Sequence, residues 1–452
     1  IYSTKVSKMF KDHEPFKYKR WDTMIKIPKV NSSMQPAGIY IHIPFCAVKC
    51  MYCDFYSIAD REESIPRFIK SLITEIDRCN VNCSAWKFDT VFIGGGTPSL
   101  LEPLHVESIL SALQNKYDLS NVKEFTLEAN PGEASKDRLK AFHSLGINRI
   151  SMGVQSLQPD LLKFLTRIHS QDQVYDTYNH ARSAGFDNVN CDLIYSIPGQ
   201  SWDVWEQDLN QVINMAPEHI SAYTLTLEKG TDLVQMVKNG KISMPEDGQT
   251  GDWFIKTYGI LNSNAYPAYE ISNFAKPGME CQHNLHYWRI HPYLAFGPSA
   301  HGFDGIHRWN NTRSLDHYIQ QIESGKSPVS KTETLTEINH LNELIGFGLR
   351  MREGIDLDQI PENYKNQFNF IIRKQINHLI NEIKKSKLVD DKMVGCAAII
   401  LTGLSLNEKE KYLNLGLSVL KKIINFSFDN QSFPKSRNIR QLIFYLKYFI
   451  LI

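Results

Sequence analysis

The chain has 452 residues, with 50 Lys and Arg against 49 Asp and Glu, a formal net charge of +1. That length suits two or three domains around a large core without cross-links, and so even a charge balance gives no global attraction for nucleic acid. Eight cysteines are too sparse for a secreted disulfide scaffold, and the absence of a signal-peptide pattern or an apolar run of about 18 residues gives no support to secretion or an integral membrane segment.

Residues 1–37 read as an N-terminal extension. Its first 30 positions carry Lys5, Lys8, Lys11, Lys17, Lys19, Arg20, Lys26 and Lys29 against Asp12, Glu14 and Asp22. This suits a solvated basic arm, with an organelle-targeting leader as the alternative. From 38 to 227 short apolar runs alternate with longer amphipathic ones. The runs predict strands over 39–43, 88–93, 123–128, 148–154, 188–194 and 219–225, and the amphipathic segments predict helices over 64–78, 104–116, 135–145, 159–165, 171–184 and 202–214. Six such βα units call for an α/β fold with a parallel sheet, expected as a partial (β/α)6 barrel whose strand ends form the active face.

Directly after the first strand comes FCAVKCMYCDFY, Phe45 to Tyr56, with Cys46, Cys50 and Cys53 in a CxxxCxxC spacing. Three thiolates on so short a loop suit three corners of an iron-sulfur cube, leaving the fourth iron for a substrate or cofactor. Zinc held by the three cysteines and His42 is one alternative, and unligated thiols are another. The second strand runs into GGGTPSL, Gly94 to Leu100, whose backbone groups can meet a small molecule closely or simply make a tight turn. Polar residues then recur at strand ends: Glu128 and Asn130 in EANPG, Gln155 in GVQS, Arg167 and His169 in TRIHS, and Asp192 in CDLIYSIPG. Each alone suits a solvated residue; together they outline a shared polar pocket.

The βα rhythm breaks between 228 and 330, where aromatics, Gly and His collect in AYEISNFAKPGMECQHNLHYW and YLAFGPSAHGF. His283, His286, His291, His301, His307 and Cys281 are candidate ligands for porphyrin or haem iron. The alternative is that His283 and Asn284 hydrogen-bond a nonrepetitive loop across the barrel mouth. Residues 331–420 read as a smaller helical, winged-helix-like domain. It is expected to hold helices over 334–354, 367–385 and 407–424, with short strands in LVDD and AAIILT, and no concentrated basic recognition helix. An atypical tail, 421–452, ends in LIFYLKYFILI. Cys79, Cys83, Cys191 and Cys396 are expected to pack rather than ligate.

IYIHIPFCAVKCMYCDFYS, FIGGGTPSLLEP, EANPG, GVQS, DLIYSIPGQ, HISAYTLTLEKGT and AYEISNFAKPGMECQHNLHYW, in this order over about 38–405, together resemble one family. It is the radical S-adenosylmethionine family, in its oxygen-independent coproporphyrinogen III oxidase-like group, and the likeness is stronger to the haem-chaperone branch. The resemblance implies a [4Fe-4S] cluster on Cys46, Cys50 and Cys53, with S-adenosyl-L-methionine on the open iron and an electron donor to reduce the cluster. It places Tyr40, Tyr52, Gly95, Gly96, Thr97, Glu128, Gln155, Arg167 and Asp192 around that cofactor, and His283 at haem. The dehydrogenase branch continues the motif as CxxxCxxCxC, whereas Phe55 stands at that position here. The resemblance therefore implies a haem chaperone passing haem to an apo-haemoprotein in the cytoplasm or an organelle. Oxidative decarboxylation of coproporphyrinogen III is the disfavoured alternative, and whether the chain is an enzyme stays open.

Overall fold

A computed structural model describes residues 34–365, 414–418 and 420–421. They fall into two compact units, one of 34–336 with Leu349–Glu353, the other of Glu337–Gly348 with the described residues from Gly354 onward.

The first unit is built on six parallel strands: β1 (Gln35–Ile43), β2 (Trp86–Gly95), β3 (Glu124–Ala129), β4 (Arg149–Gln155), β5 (Asn188–Tyr195) and β6 (His219–Thr224), each paired with the next. The helices Ile65–Arg78, Pro103–Lys116, Lys136–Ser144, Pro159–Phe164, Gln171–Ala184 and Trp202–Met215 form the connections. These are the elements the hydrophobic pattern predicts, and the side chains that start them are legible too. Ser135, Ser170 and Ser201 each accept a backbone N–H from the first turn of the helix that follows, Ser170 within a full capping box with Gln173.

Five further strands extend the sheet beyond the predicted six. β7 (Asn273–Ala275) lies antiparallel to β6, and β8 (Tyr293–Phe296) lies parallel to β1. β9 (His301–Phe303), β10 (His307–Asn311) and β11 (Val329–Thr334) continue antiparallel. The order β11-β10-β9-β8-β1-β2-β3-β4-β5-β6-β7 leaves β7 and β11 at opposite ends, so the pairing does not close a ring. The parallel core of a partial barrel is present, carried in a mixed open sheet.

Side-chain alternation decides what each face does. Ile39, Ile41 and Ile43 of β1, Phe125, Leu127 and Ala129 of β3, Ile150, Met152 and Val154 of β4, and Val189, Cys191 and Leu193 of β5 join one apolar core with Phe68, Leu72 and Leu113 of the helices. The intervening residues, Tyr40 and His42, Glu124 and Glu128, Arg149 and Ser151, Asn190 and Asp192, share the opposite, polar face. Cys191 packs as expected.

One polar tie crosses the apolar side. Glu75, buried within the helix Ile65–Arg78, accepts from the Gly297 N–H at 2.9 Å, Asn311 Nδ2 at 2.6 Å and the Tyr318 hydroxyl at 2.5 Å. It anchors β10 and the helix Leu315–Glu323 to the first helix, and burial pushes its pKa up to about 7 against those three donors.

In the second unit the helix is Glu337–Gly348, shorter than the expected 334–354. Residues up to Thr334 are drawn into β11 by pairing with β10, and beyond Gly348 the chain returns to the first unit, where Met351 bridges Glu270. Residues 414–418 and 420–421 are helical, within the expected 407–424. The helix expected over 367–385, the strands in LVDD and AAIILT, and almost all of the 421–452 tail lie outside the described residues. Among the described residues no helix is long and apolar enough to cross a membrane.

Candidate functional site

The cysteine loop leaves the end of β1 and is pinched shut at its base. Phe45 bridges Ile58, with Cys46 N–H donating to Ile58 O at 2.9 Å and Ile58 N–H to Pro44 O at 2.7 Å. Its middle sits on an apolar cushion, where Met51 and Tyr52 pack against Leu161, Leu165, Ile194 and Leu233. The glycine turn after β2 docks against the loop's root: Gly96 N–H donates to Ile43 O and Thr97 N–H to Phe45 O, both at 2.7 Å. A Cβ on Gly96 would lie 2.5 Å from Phe45 O, so this approach requires glycine. Gly95 has φ +114, a backbone that side-chain-bearing residues rarely adopt, and its N–H donates to Glu128 Oε2 at 2.8 Å.

From this frame a hydrogen-bonded web reaches two of the three sulfurs. Thr97 Oγ1 lies 3.5 Å from Cys46 Sγ and accepts from Asn130 Nδ2 at 2.9 Å. Arg167 donates to Asn130 Oδ1 at 2.5 Å, to Gly153 O at 2.6 Å and, at 3.7 Å, toward Cys50 Sγ. All three cysteines are free and partly exposed. Burial pushes the Cys46 thiol up to about 11, partly offset by Thr97 and Ser57, and pushes Cys53 up against the Phe55 N–H. Cys46 and Cys53 therefore hold their protons until a cation displaces them. For Arg167, burial works against the charge, but Tyr52 and Cys50 outweigh it and the guanidinium is held more firmly protonated.

At the strand ends, burial raises Glu128 to about 7, with the Gly95 N–H pulling it back and Asp192 pushing it further. Tyr52 is raised by burial while Arg167 opposes, and Cys50, Cys53 and Asp192 act on the same phenol. Asp192 accepts from Ser151 Oγ at 3.2 Å and Asn190 Nδ2 at 2.8 Å, and Asn190 Oδ1 lies 2.6 Å from His219 Nδ1. Gln155 ends β4 with φ +65, in left-handed backbone. Asn190 and Ser151 join these residues without a motif to mark them, although each lies two residues before or after a polar position on the same face. His169 bonds Val154 O at 3.0 Å and belongs to the scaffold.

His42 settles its own orientation. Its Nε2 lies 2.8 Å from Tyr56 O, which only accepts, so Nε2 carries hydrogen and Nδ1 accepts from the Tyr40 hydroxyl at 2.9 Å. Neither nitrogen is available to the cysteines, and the three-cysteine-plus-histidine zinc alternative loses its fourth ligand. Among the described residues no group of three His, Cys, Asp or Glu side chains is gathered tightly enough for a single metal ion. A zinc tetrahedron would hold its sulfurs roughly 3.8 Å apart.

HNLHYW forms the helix Gln282–Trp288 rather than a nonrepetitive loop, and it lies at the opposite end of the strands from the cysteines. Glu124, the first residue of β3, accepts the N–H groups of Gln282 at 2.8 Å and His283 at 2.9 Å and so holds the helix by its positive end. His283 is 1% exposed. Its Nδ1 is 2.8 Å from Thr90 Oγ1, its Nε2 is 2.9 Å from the Tyr287 hydroxyl, and its ring stacks on Phe92 at 5.2 Å. The structure does not bring His283 to the cysteine loop; Tyr40, 6.4 Å from its ring, stands between them.

With that geometry in place, likeness to known proteins adds the following. Residues 40–212 match the radical SAM superfamily. The chain is 34% identical to the heme chaperone HemW of Lactococcus lactis, over 77% of this chain and 90% of that protein. It is 36% identical to radical S-adenosyl methionine domain-containing protein 1, mitochondrial, of Danio rerio, over 82% of this chain and 85% of that one. In three dimensions it is similar to coproporphyrinogen III oxidase (HemN) from Escherichia coli, described as a radical SAM enzyme, with TM-score 0.64 and 22% identity over 77% of this chain and 82% of that one. At that identity the last likeness speaks for the fold alone.

Proposed function

The chain belongs to the radical SAM superfamily, among the heme chaperone HemW-type proteins, and from that premise we propose that it binds haem and hands it to an apo-haemoprotein, with a [4Fe-4S] cluster and S-adenosyl-L-methionine at the cysteine loop. The observation that carries this is the loop itself. It offers three partly exposed thiols and then, two residues beyond Cys53, Phe55, 69% exposed and unable to ligate. Three cysteines on the loop would leave one iron of a cluster open, and the extra cysteine of the dehydrogenase branch is missing.

The residues fit the group. The donor set is three soft thiolates, and the Thr97 hydroxyl and Arg167 guanidinium sit where they would hydrogen-bond sulfur and lower the cost of its charge. Glu128, Gln155, Asp192, Tyr40 and Tyr52, with the Gly95–Thr97 turn, would receive the amine, carboxylate and ribose of S-adenosyl-L-methionine. When bound, the cluster supplies one-electron reduction of the sulfonium, and an electron-donor protein must recharge it. The chain's own part is to hold the two cofactors together: Arg167 ties Cys50 to Asn130 and β4, and Gly96 ties the glycine turn to the loop's root. Contact of haem with His283 would require giving up either Thr90 or Tyr287.

Anaerobic reconstitution followed by haem titration and transfer tests the proposal. Expected are one four-iron cluster per chain, lost when Cys46, Cys50 and Cys53 are all replaced, stoichiometric haem binding, and delivery to an apo-haemoprotein. Protoporphyrinogen IX formed from coproporphyrinogen III by cluster-loaded protein would instead establish the dehydrogenase.

A further inference from the structure

β4 does not run straight to its end. Its register with β5 passes from Met152 opposite Cys191 to Gln155 opposite Leu193, so β4 spends one residue more than its partner there. An extra residue of this kind re-aims the side chains around it. Ser156 N–H then donates to Val154 O at 2.8 Å and closes a three-residue turn about Gln155, whose φ is +65. A γ-turn of that hand is rare and strained, and it persists only where its surroundings over-determine it. What the turn achieves is visible at Gly153. A Cβ there would lie 3.0 Å from Asn130 Oδ1, 3.0 Å from Gln155 Nε2 and 3.1 Å from Arg167 Nη2. The Gln155 amide therefore stands with the Asn130–Arg167 pair that reaches Cys50.

The turn is held from a distant helix. Asp208, fully buried in the helix Trp202–Met215, directs both carboxylate oxygens at the three residues that follow Gln155. Its Oδ2 accepts from Ser156 Oγ at 2.5 Å and from Leu157 N–H at 3.2 Å, and its Oδ1 accepts from Gln158 Nε2 at 2.6 Å. Ser156 Oγ in turn accepts from Gln158 N–H at 3.1 Å, which locks the hydroxyl between the two. Burial pushes the Asp208 carboxyl up, and the three donors pull it back. An apolar side chain would fill this corner without the cost of burying a carboxylate. The carboxylate does what an apolar group cannot: it fixes three donors in one geometry.

We propose that Asp208 is a positioning residue for S-adenosyl-L-methionine, holding Gln155 in the γ-turn that aims its amide at the cofactor beside Arg167. It acts through Ser156, Leu157 and Gln158 and not by touching the cofactor itself. The proposal rests on the cofactor reading above and adds to it a residue 52 positions beyond Ser156 that no motif marks.

Binding of S-adenosyl-L-methionine to the anaerobically reconstituted full chain tests it, measured by equilibrium dialysis and by the change the cofactor makes in the electron paramagnetic resonance spectrum of the reduced cluster. Asp208→Ala should bind about 10-fold more weakly with iron and sulfide content retained, because the strained turn relaxes. Ser156→Ala, which removes one donor, should weaken binding on the order of threefold. Asp208→Asn should restore it: its oxygen accepts from Ser156 and Leu157, and its amide meets the Gln158 side chain turned over. Added to Gln155→Ala, Asp208→Ala should cost no further affinity. Trp205→Phe, which breaks the 2.8 Å bond to Thr257 from the same helix, should lower stability and leave affinity unchanged. Wild-type affinity in both Asp208→Ala and Ser156→Ala would overturn the assignment, as would additive losses with Gln155→Ala or an equal loss in Trp205→Phe, each leaving the cofactor reading intact. A wild-type chain that loads its cluster and binds no S-adenosyl-L-methionine would overturn both.

Discussion

Replacing Gly96 by Ala asks whether the close approach of the glycine turn to the cysteine loop is as rigid as its distances imply. The added methyl would lie 2.5 Å from Phe45 O and 3.0 Å from Ile43 O, both backbone atoms that cannot rotate aside. Those same oxygens accept from Thr97 and Gly96 at 2.7 Å, so relieving the clash lengthens two hydrogen bonds. Overpacking costs about 1–3 kcal/mol and each weakened bond about 1 kcal/mol; Ala returns about 0.4–1 kcal/mol through the unfolded chain. The expected net loss is about 2–3 kcal/mol in urea unfolding, with reduced iron and sulfide after reconstitution, since the root of the ligand loop moves. The same substitution at Gly259 should have the opposite sign. It lies inside the helix Asp247–Ser263 with nothing within 4 Å of the new methyl, and Ala there should stabilise by about 0.8–1 kcal/mol. A Gly96→Ala protein that unfolds at the wild-type midpoint and loads iron normally would refute the reasoning.

Glu75 should write a pH dependence into stability. Its folded pKa, about 7, is raised above the ordinary carboxylate value by burial, so its contribution is fully present below about pH 4.3 and is lost as pH rises through 7. Glu75→Gln should flatten the fall in unfolding free energy between pH 5 and 8, on the order of 3 kcal/mol; an unchanged slope would count against it. Arg167→Lys leaves one ammonium where a guanidinium serves Asn130, Gly153 and Cys50, and should speed cluster loss to a chelator several-fold while preserving the fold by circular dichroism. Glu124→Ala leaves the amides of Gln282 and His283 without their acceptor and should cost about 2–4 kcal/mol, seen as faster amide exchange in the helix Gln282–Trp288.

Local patterns carried much of the architecture. The six parallel strands and their helices follow from apolar runs, amphipathic spacing and serine caps, interactions that form between near neighbours in the chain. CxxxCxxC likewise put its three thiols on one loop, because a span of eight residues cannot separate them far. Strands β7 to β11 escaped because they are three to six residues long and exist only by pairing with a neighbour already in place. That HNLHYW is a helix held by Glu124, 159 positions before His283, was equally out of reach. Sequence by itself determined the elements of the parallel core and the candidate ligand types. Tertiary structure alone decided which sides meet: Glu128 and Asp192 share one polar face, and Thr90, 193 positions away, takes up Nδ1 of His283. One left-handed residue, Ile290, turns the chain back so that His291 N–H donates to His286 O. The cysteine loop follows from covalent proximity, whereas the placement of His283 depends on Thr90 and Glu124, which only folding brings near.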